Sequence, residues 1–217
     1  MEIALTYILI GVTVVTSLIA FSNIQVMNDL IFNTAAVSRK NQWWRFITSG
    51  FIHADYQHLA FNMFSFFLFG KVVEDAFAYF FKEKGKLLFV ILYFTALVIC
   101  LLPTYFKNRN NLNYRGLGAS GAVSAMIFAG IFIDPGMGIG LIILPGIYIP
   151  GFIFGPLYLV GCVIMDRRKR DNINHSAHFW GAVYGIVFFI AAGFIFSDIN
   201  PFTWFTSQMA AYFTKHF

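Results

Sequence analysis

Six long apolar runs, most of them separated by little sequence, set the limits on what this chain can fold into. They cover residues 3–21, 58–80, 87–106, 118–133, 139–165 and 177–196. Crossing a bilayer core takes roughly 20 apolar residues of helix. Within the hydrocarbon a spanning segment must satisfy its own backbone N–H and C=O groups, which a helix does without help from its neighbours. Six crossings with short connections use up the 217 residues, so one domain, 1–217, is expected. Composition agrees: 59% of residues are hydrophobic and 12% charged, against about 45–50% and about 25% in soluble domains. The expected class is an all-α membrane protein, a bundle of six helices.

The connections refine this picture. The longest, 22–57, mixes Trp43, Trp44, Phe46 and Tyr56 with polar residues, a composition suited to the membrane interface, and is expected to form a partly embedded first loop. Lys82-Glu83-Lys84-Gly85-Lys86 and the Asn-rich stretch 107–116 read as short polar turns. Asp134-Pro135-Gly136 stops the fourth run early and makes that helix unusually short. Pro145, Pro150 and Pro156, with Gly146, Gly151 and Gly155, should kink or loosen the fifth run. The aromatic, weakly polar tail 197–217 is expected along the interface. Met1-Glu2 supplies no basic segment ahead of the first run, which is expected to stay as a helix rather than be removed as a signal peptide.

Charge and cysteines exclude some functions. Lys and Arg number 15 against 10 Asp and Glu, a formal charge of +5, but the basic residues are scattered and form no nucleic-acid stripe. The run Arg167-Arg168-Lys169-Arg170 reads as a solvated loop or a contact with anionic lipid headgroups. Cys100 and Cys162 lie in apolar runs, where free cysteine packs as a small hydrophobe.

Polar groups are costly in hydrocarbon, so those inside or beside the runs carry the most information. Four stand out: His58, Asn62, Ser120 and His178. His58 and Asn62, four apart, share one face of the second helix. Ser120 opens the fourth helix within Gly118-Ala119-Ser120-Gly121, where free N–H groups and the helix dipole favour developing negative charge. His178 opens the sixth. Ala177, Gly181 and Gly185 form a small-residue ridge there, and Gly121, Ala125 and Ala129 form a matching one on the fourth helix. Packed ridge to ridge at equal depth, they bring Ser120 and His178 within hydrogen-bond reach, the geometry of an activated serine. The plainer alternatives are a serine that only permits close helix contact and a histidine that is a satisfied polar contact. A metal held by His175 and His178 with His53 or His58 is disfavoured. A membrane zinc protease would be expected to show H-E-x-x-H, and Ser176 and Ala177 supply no carboxylate. No metal and no cofactor are expected, and His53 and His175 read as hydrogen bonders at a loop or helix end.

Taken in order, Trp44-Arg45, His53, His58 with Asn62, Glu74, Gly118-Ala119-Ser120-Gly121, and Ala177-His178 with Gly181 and Gly185 resemble the rhomboid family of intramembrane serine proteases. The resemblance covers nearly the whole chain. It implies a six-helix rhomboid-like bundle in which Ser120 is the nucleophile and His178 the base. It implies an oxyanion hole made by His58, Asn62 and the Ser120 N–H, with structural support from Trp44, Arg45, Glu74, Gly118, Gly121, Gly181 and Gly185. The implied substrates are transmembrane segments of other proteins, met in membrane lipid and without nucleic acid. Members often carry a tyrosine four residues after the nucleophile; Ser124 stands there, so ring support for His178 is expected either to come from Phe128 or Phe179 or to be absent. The family's site opens outward, in a bacterial inner membrane for a compact chain like this one. The Lys and Arg of the first, third and fifth loops favour the reverse by the positive-inside rule. Two other readings are an inactive relative that binds membrane segments without cleaving them, and a small transporter supported only by the broken fifth run.

Overall fold

In the computed structural model, which describes residues 4–141, 144–168 and 171–216, the first helix is anchored at its start by a carboxylate from elsewhere in the chain. Ile3, Lys169, Arg170 and Phe217, which figured in the expectations above, lie outside the described residues. Helix α1 (Leu5–Ser22) leaves orphan N–H groups at its N-terminus. The Leu5 and Thr6 N–H groups donate to Glu74 Oε1 and Oε2 at 2.8 and 3.0 Å, and Thr6 Oγ1 donates to Oε2 at 2.7 Å. The carboxylate thus caps the positive end of a helix dipole within the packed interior.

The first loop is built of short helices, α2 (Ile24–Leu30), α3 (Thr34–Lys40) and α4 (Arg45–Thr48), with the short strand β1 (Phe32–Asn33) between α2 and α3. Arg45, 7% exposed, ties them together. Its Nη1 donates to the Asn28 and Ile31 carbonyls at 2.8 and 2.7 Å, and its Nε donates to Gln42 Oε1 at 2.6 Å. Buried Phe32 packs edge-on against Phe46, Tyr105 and Tyr114. Trp43 stacks on Phe46 at 5.9 Å, and both Trp43 and Trp44 are half exposed.

Helices α5 (Tyr56–Phe81) and α6 (Gly85–Ile99) form the next two crossings, followed by the short α7 (Leu102–Asn108). Strand β2 (Arg115–Gly116) pairs antiparallel with β1, Phe32 opposite Gly116, and so clips the third loop to the first. Helix α8 (Ser120–Ile133) then runs through the middle of the bundle with nearly every side chain buried. Its 14 residues are shorter than a bilayer core: at about 1.5 Å per residue they rise about 21 Å against about 30 Å. Ser120 is its first residue.

The fifth run departs from expectation. A helix was expected over 139–165, but strands β3 (Gly138–Leu141) and β4 (Leu144–Pro150) form a hairpin, and α9 (Gly151–Arg168) starts only at Gly151. Pro145 and Pro150 deny the chain helical N–H donors, and Gly146 within β4 has a φ of 87°, so helix does not form before Gly151. Helix α10 (His175–Phe196) makes the last crossing, and α11 (Pro201–His216) docks the tail on the bundle. Trp204 Nε1 donates to the Ile133 carbonyl at 2.8 Å, satisfying an end of α8, and Phe205 stacks on Phe132. The bundle is all-α: α1, α5, α6, α8 and α10 surround a core that includes Phe66, Phe77, Phe89 and Phe189, α9 packs on a smaller cluster with Phe128, Ile131 and Ala182, and the short strand pairs lie in connections. Outward-facing Phe61, Phe64, Phe67 and Ile195 are half exposed or more, as lipid-facing residues are in a membrane protein.

Candidate active site

The centre of the molecule is the seam between α8 and α10. Gly181 faces the Gly121 carbonyl and Gly185 the Ala125 carbonyl so closely that a Cβ on either would overlap that oxygen. The two ridges let the helix backbones touch. Asn174 fixes the start of α10: its Oδ1 accepts from the Ala177 N–H and from Thr104 Oγ1, both at 3.1 Å. With both helix starts held, His178 Nε2 lies 2.7 Å from Ser120 Oγ. This is hydrogen-bond geometry for a hydroxyl and an imidazole, and Ser120 sits where α8 presents unpaired N–H groups.

A cavity of about 680 Å³ opens beside Ser120, lined among others by His58, Arg115, Gly118, Ser120, Gly121 and Asn174. Gly118 has a φ of 108°, and a Cβ there would press on the His58 ring at 2.8 Å. Glycine is what lets the third loop pass over His58. Asn62 is placed differently from His58. It is buried on α5, its Nδ2 donates to the His58 carbonyl at 3.0 Å, and it does not line the cavity. One of its two amide hydrogens is thereby used within its own helix.

His53 supports this arrangement from the first loop. Fully buried, it accepts the Ala119 N–H at Nε2 (3.4 Å), and its Nδ1 lies 3.0 Å from Ser17 Oγ, which donates to the Phe51 carbonyl at 3.0 Å. The ring must be the neutral Nδ1–H form, because a second proton on Nε2 would face the Ala119 N–H. Burial, with the nearby His58, pushes its pKa down to about 3. The unfolded chain then binds the extra proton first, and folding stability falls as pH drops from about 6.5 towards 3. In thermal unfolding across that window, His53→Gln is expected to narrow its deficit against wild type as pH falls. A constant deficit would remove His53 as the cause.

Helix α9 and the start of α10 add contacts of Tyr158 and Cys162 that have no counterpart in the expectations. At Ser124, where the family often has a tyrosine, Tyr158 OH of α9 lies 2.9 Å from Ser124 Oγ. Phe128 faces Tyr158, and Phe179 faces Trp180. The ring beside His178 is His175, at 5.9 Å between centroids. Asn174 Nδ2 is buried without a partner among the described residues and borders the cavity. Cys162 of α9 comes close to both His175 and His178. Tyr158 could have been found by the rule that singled out Ser120, being a polar group within an apolar run.

Such a bundle, with a short central helix that starts beneath a polar cavity, defines an all-α integral membrane protein of the rhomboid type. The Rhomboid domain profile matches residues 40–195, and the chain belongs to the rhomboid family. It is 28% identical to Rhomboid-like protein 11, chloroplastic, of Arabidopsis thaliana over 152 residues, 67% of this chain and 51% of that protein. It is 34% identical to the protein named "Putative rhomboid protease YdcA" of Bacillus subtilis (strain 168) over 92 residues, 42% of each. The chain thus spans 51% and 42% of the lengths of these relatives.

Proposed function

We propose that this rhomboid is an intramembrane serine endopeptidase that cleaves transmembrane segments of other membrane proteins. The observation that carries the reading is the 2.7 Å approach of His178 Nε2 to Ser120 Oγ, with Ser120 lining the cavity. His178 takes the Ser120 proton as Oγ attacks the peptide carbonyl, then passes it to the departing amine. The Ser120 N–H and His58 stabilise the oxyanion, joined by Asn62 through its remaining amide hydrogen. Water entering through the cavity hydrolyses the acyl-enzyme. Trp44, Arg45, Glu74 and the glycines support this site without touching the reacting atoms. No cofactor enters the scheme, and the proposed partners are membrane proteins in lipid.

The dyad, complete here, favours this reading over an inactive relative that only binds membrane segments. A fluorophosphonate probe should label wild type and fail on Ser120→Ala; equal labelling of the two would point to another nucleophile. His58→Ala and Asn62→Ala are each expected to lower kcat about 100-fold if they donate to the oxyanion. A rise in KM at unchanged kcat would make them positioning residues. The proposed setting is a bacterial inner membrane with the cavity opening outward, which cysteine-accessibility labelling at Arg115→Cys from either side would test.

A further inference from the structure

Helix α9 brings two polar residues towards the base of the dyad. Tyr158 and Cys162, four apart, share one face of the helix. Tyr158 meets Ser124 of α8. One ligand atom each from Cys162, His175 and His178 lies within 4.8 Å of the other two. One cysteine sulfur and two imidazoles this close together are a donor set for Zn²⁺ or Cd²⁺ once the thiol ionises. The Nε2 atoms of both rings are already engaged: His175 Nε2 lies 3.0 and 3.1 Å from the Asp171 carboxylate oxygens, and His178 Nε2 lies 2.7 Å from Ser120 Oγ. A carboxylate on the far nitrogen is the partner that orients a metal-binding histidine. Nδ1 of each ring remains for the cation.

We propose that Cys162, His175 and His178 form an inhibitory site for a thiophilic divalent cation such as Zn²⁺, spanning α9 and α10 beside the Ser120–His178 pair. Tetrahedral zinc with these donors needs ligand separations of about 3.3–3.6 Å, so the side chains close by about 1 Å. A fourth position is left for water. The His175 side chain is 12% exposed, which gives the ion an approach from the loop side.

Inhibition follows from proton counting and rests on the protease reading above. To accept the Ser120 proton at Nε2, neutral His178 must hold its own proton on Nδ1. A cation bound through Nδ1 takes that lone pair, so the ring proton moves to Nε2. There it donates to Ser120 Oγ instead of receiving from it. Cys162 gives its thiol proton to solvent as the metal–sulfur bond forms, so one proton is released per cation. The base is lost without any change of fold.

The test uses the full chain in detergent and in liposomes. Titration with Cd²⁺ should produce a thiolate-to-metal charge-transfer band that saturates at one ion per chain. The band should persist in Cys100→Ser, vanish in Cys162→Ala, and need at least about tenfold more Cd²⁺ in Asp171→Asn. Zn²⁺ should suppress cleavage by wild type reversibly with chelator, while Cys162→Ala cleaves at the wild-type rate and resists. No band in wild type, or a band unchanged in Cys162→Ala, overturns the site. Equal Zn²⁺ inhibition of wild type and Cys162→Ala overturns its inhibitory role. Because the band requires no turnover, a wild-type chain that shows it yet never cleaves overturns the protease reading and upholds the cation site.

Discussion

Ser120→Ala is expected to lower kcat by roughly four orders of magnitude or more, about 5 kcal/mol of transition-state stabilisation, in a folded protein of nearly wild-type stability. The two halves of the expectation have separate causes. Alanine is a good helix former at the first position of α8, and the truncation removes one oxygen beside an existing cavity. The lost Ser120–His178 hydrogen bond costs about 1 kcal/mol, because water in the cavity can pair with His178 Nε2. Chemistry has no such substitute, since the attacking atom itself is gone. His178→Ala should fall to a similar level, and the double variant no further, because nucleophile and base act as one unit. Turnover of a fluorogenic transmembrane peptide in liposomes, read alongside the thermal midpoint, separates the two halves. Cleavage by Ser120→Ala near the wild-type rate would end the assignment, and an equal loss of stability would mean the serine is structural.

The parts of this molecule that could be read from the sequence are those set by strong local rules. Apolar runs marked the crossings because lipid imposes length on a helix. Ser120 and His178 stood out because polar groups are costly there, and the ridges through Gly121, Gly181 and Gly185 said how the two could meet. The fifth crossing was misjudged for a reason of the same kind. Residues 138–150 are apolar, and hydrophobicity alone does not distinguish a hairpin from a helix. Of the prolines and glycines noted there as weakening a helix, Pro145, Gly146 and Pro150 lie in strand β4, while Gly151, Gly155 and Pro156 lie within α9. What stayed hidden depends on contacts between distant elements. Nothing near Ser124 in sequence says that Tyr158 will fill the space beside it, or that Cys162 will sit by His178. Asn62 shows a third limit: its face on α5 could be read, but not that its amide would turn back to the His58 carbonyl.

The largest structural effect is expected at the α8–α10 seam. Gly181→Val and Gly185→Val should each destabilise the fold by about 3 kcal/mol or more, beyond the usual cost of an overpacked side chain. A Cβ at either position overlaps a backbone carbonyl oxygen, of Gly121 or of Ala125. Side chains relieve crowding by changing rotamer; a carbonyl within a central helix can move only if α8 moves with it. Such a shift would also draw Ser120 away from His178, and a displacement of about 1 Å can cost 100-fold in rate. Stability and activity should therefore fall together, unlike in Ser120→Ala. Gly11→Ala and Gly161→Ala supply the control, because a Cβ at either site meets nothing within 4 Å. There the loss of glycine's backbone freedom should leave stability unchanged or raise it by up to about 1 kcal/mol. Unfolding midpoints of all four variants in one detergent decide the matter: if Gly181→Val tolerates heat as well as Gly161→Ala does, the helices are not in backbone contact, and the placement of the dyad needs another explanation.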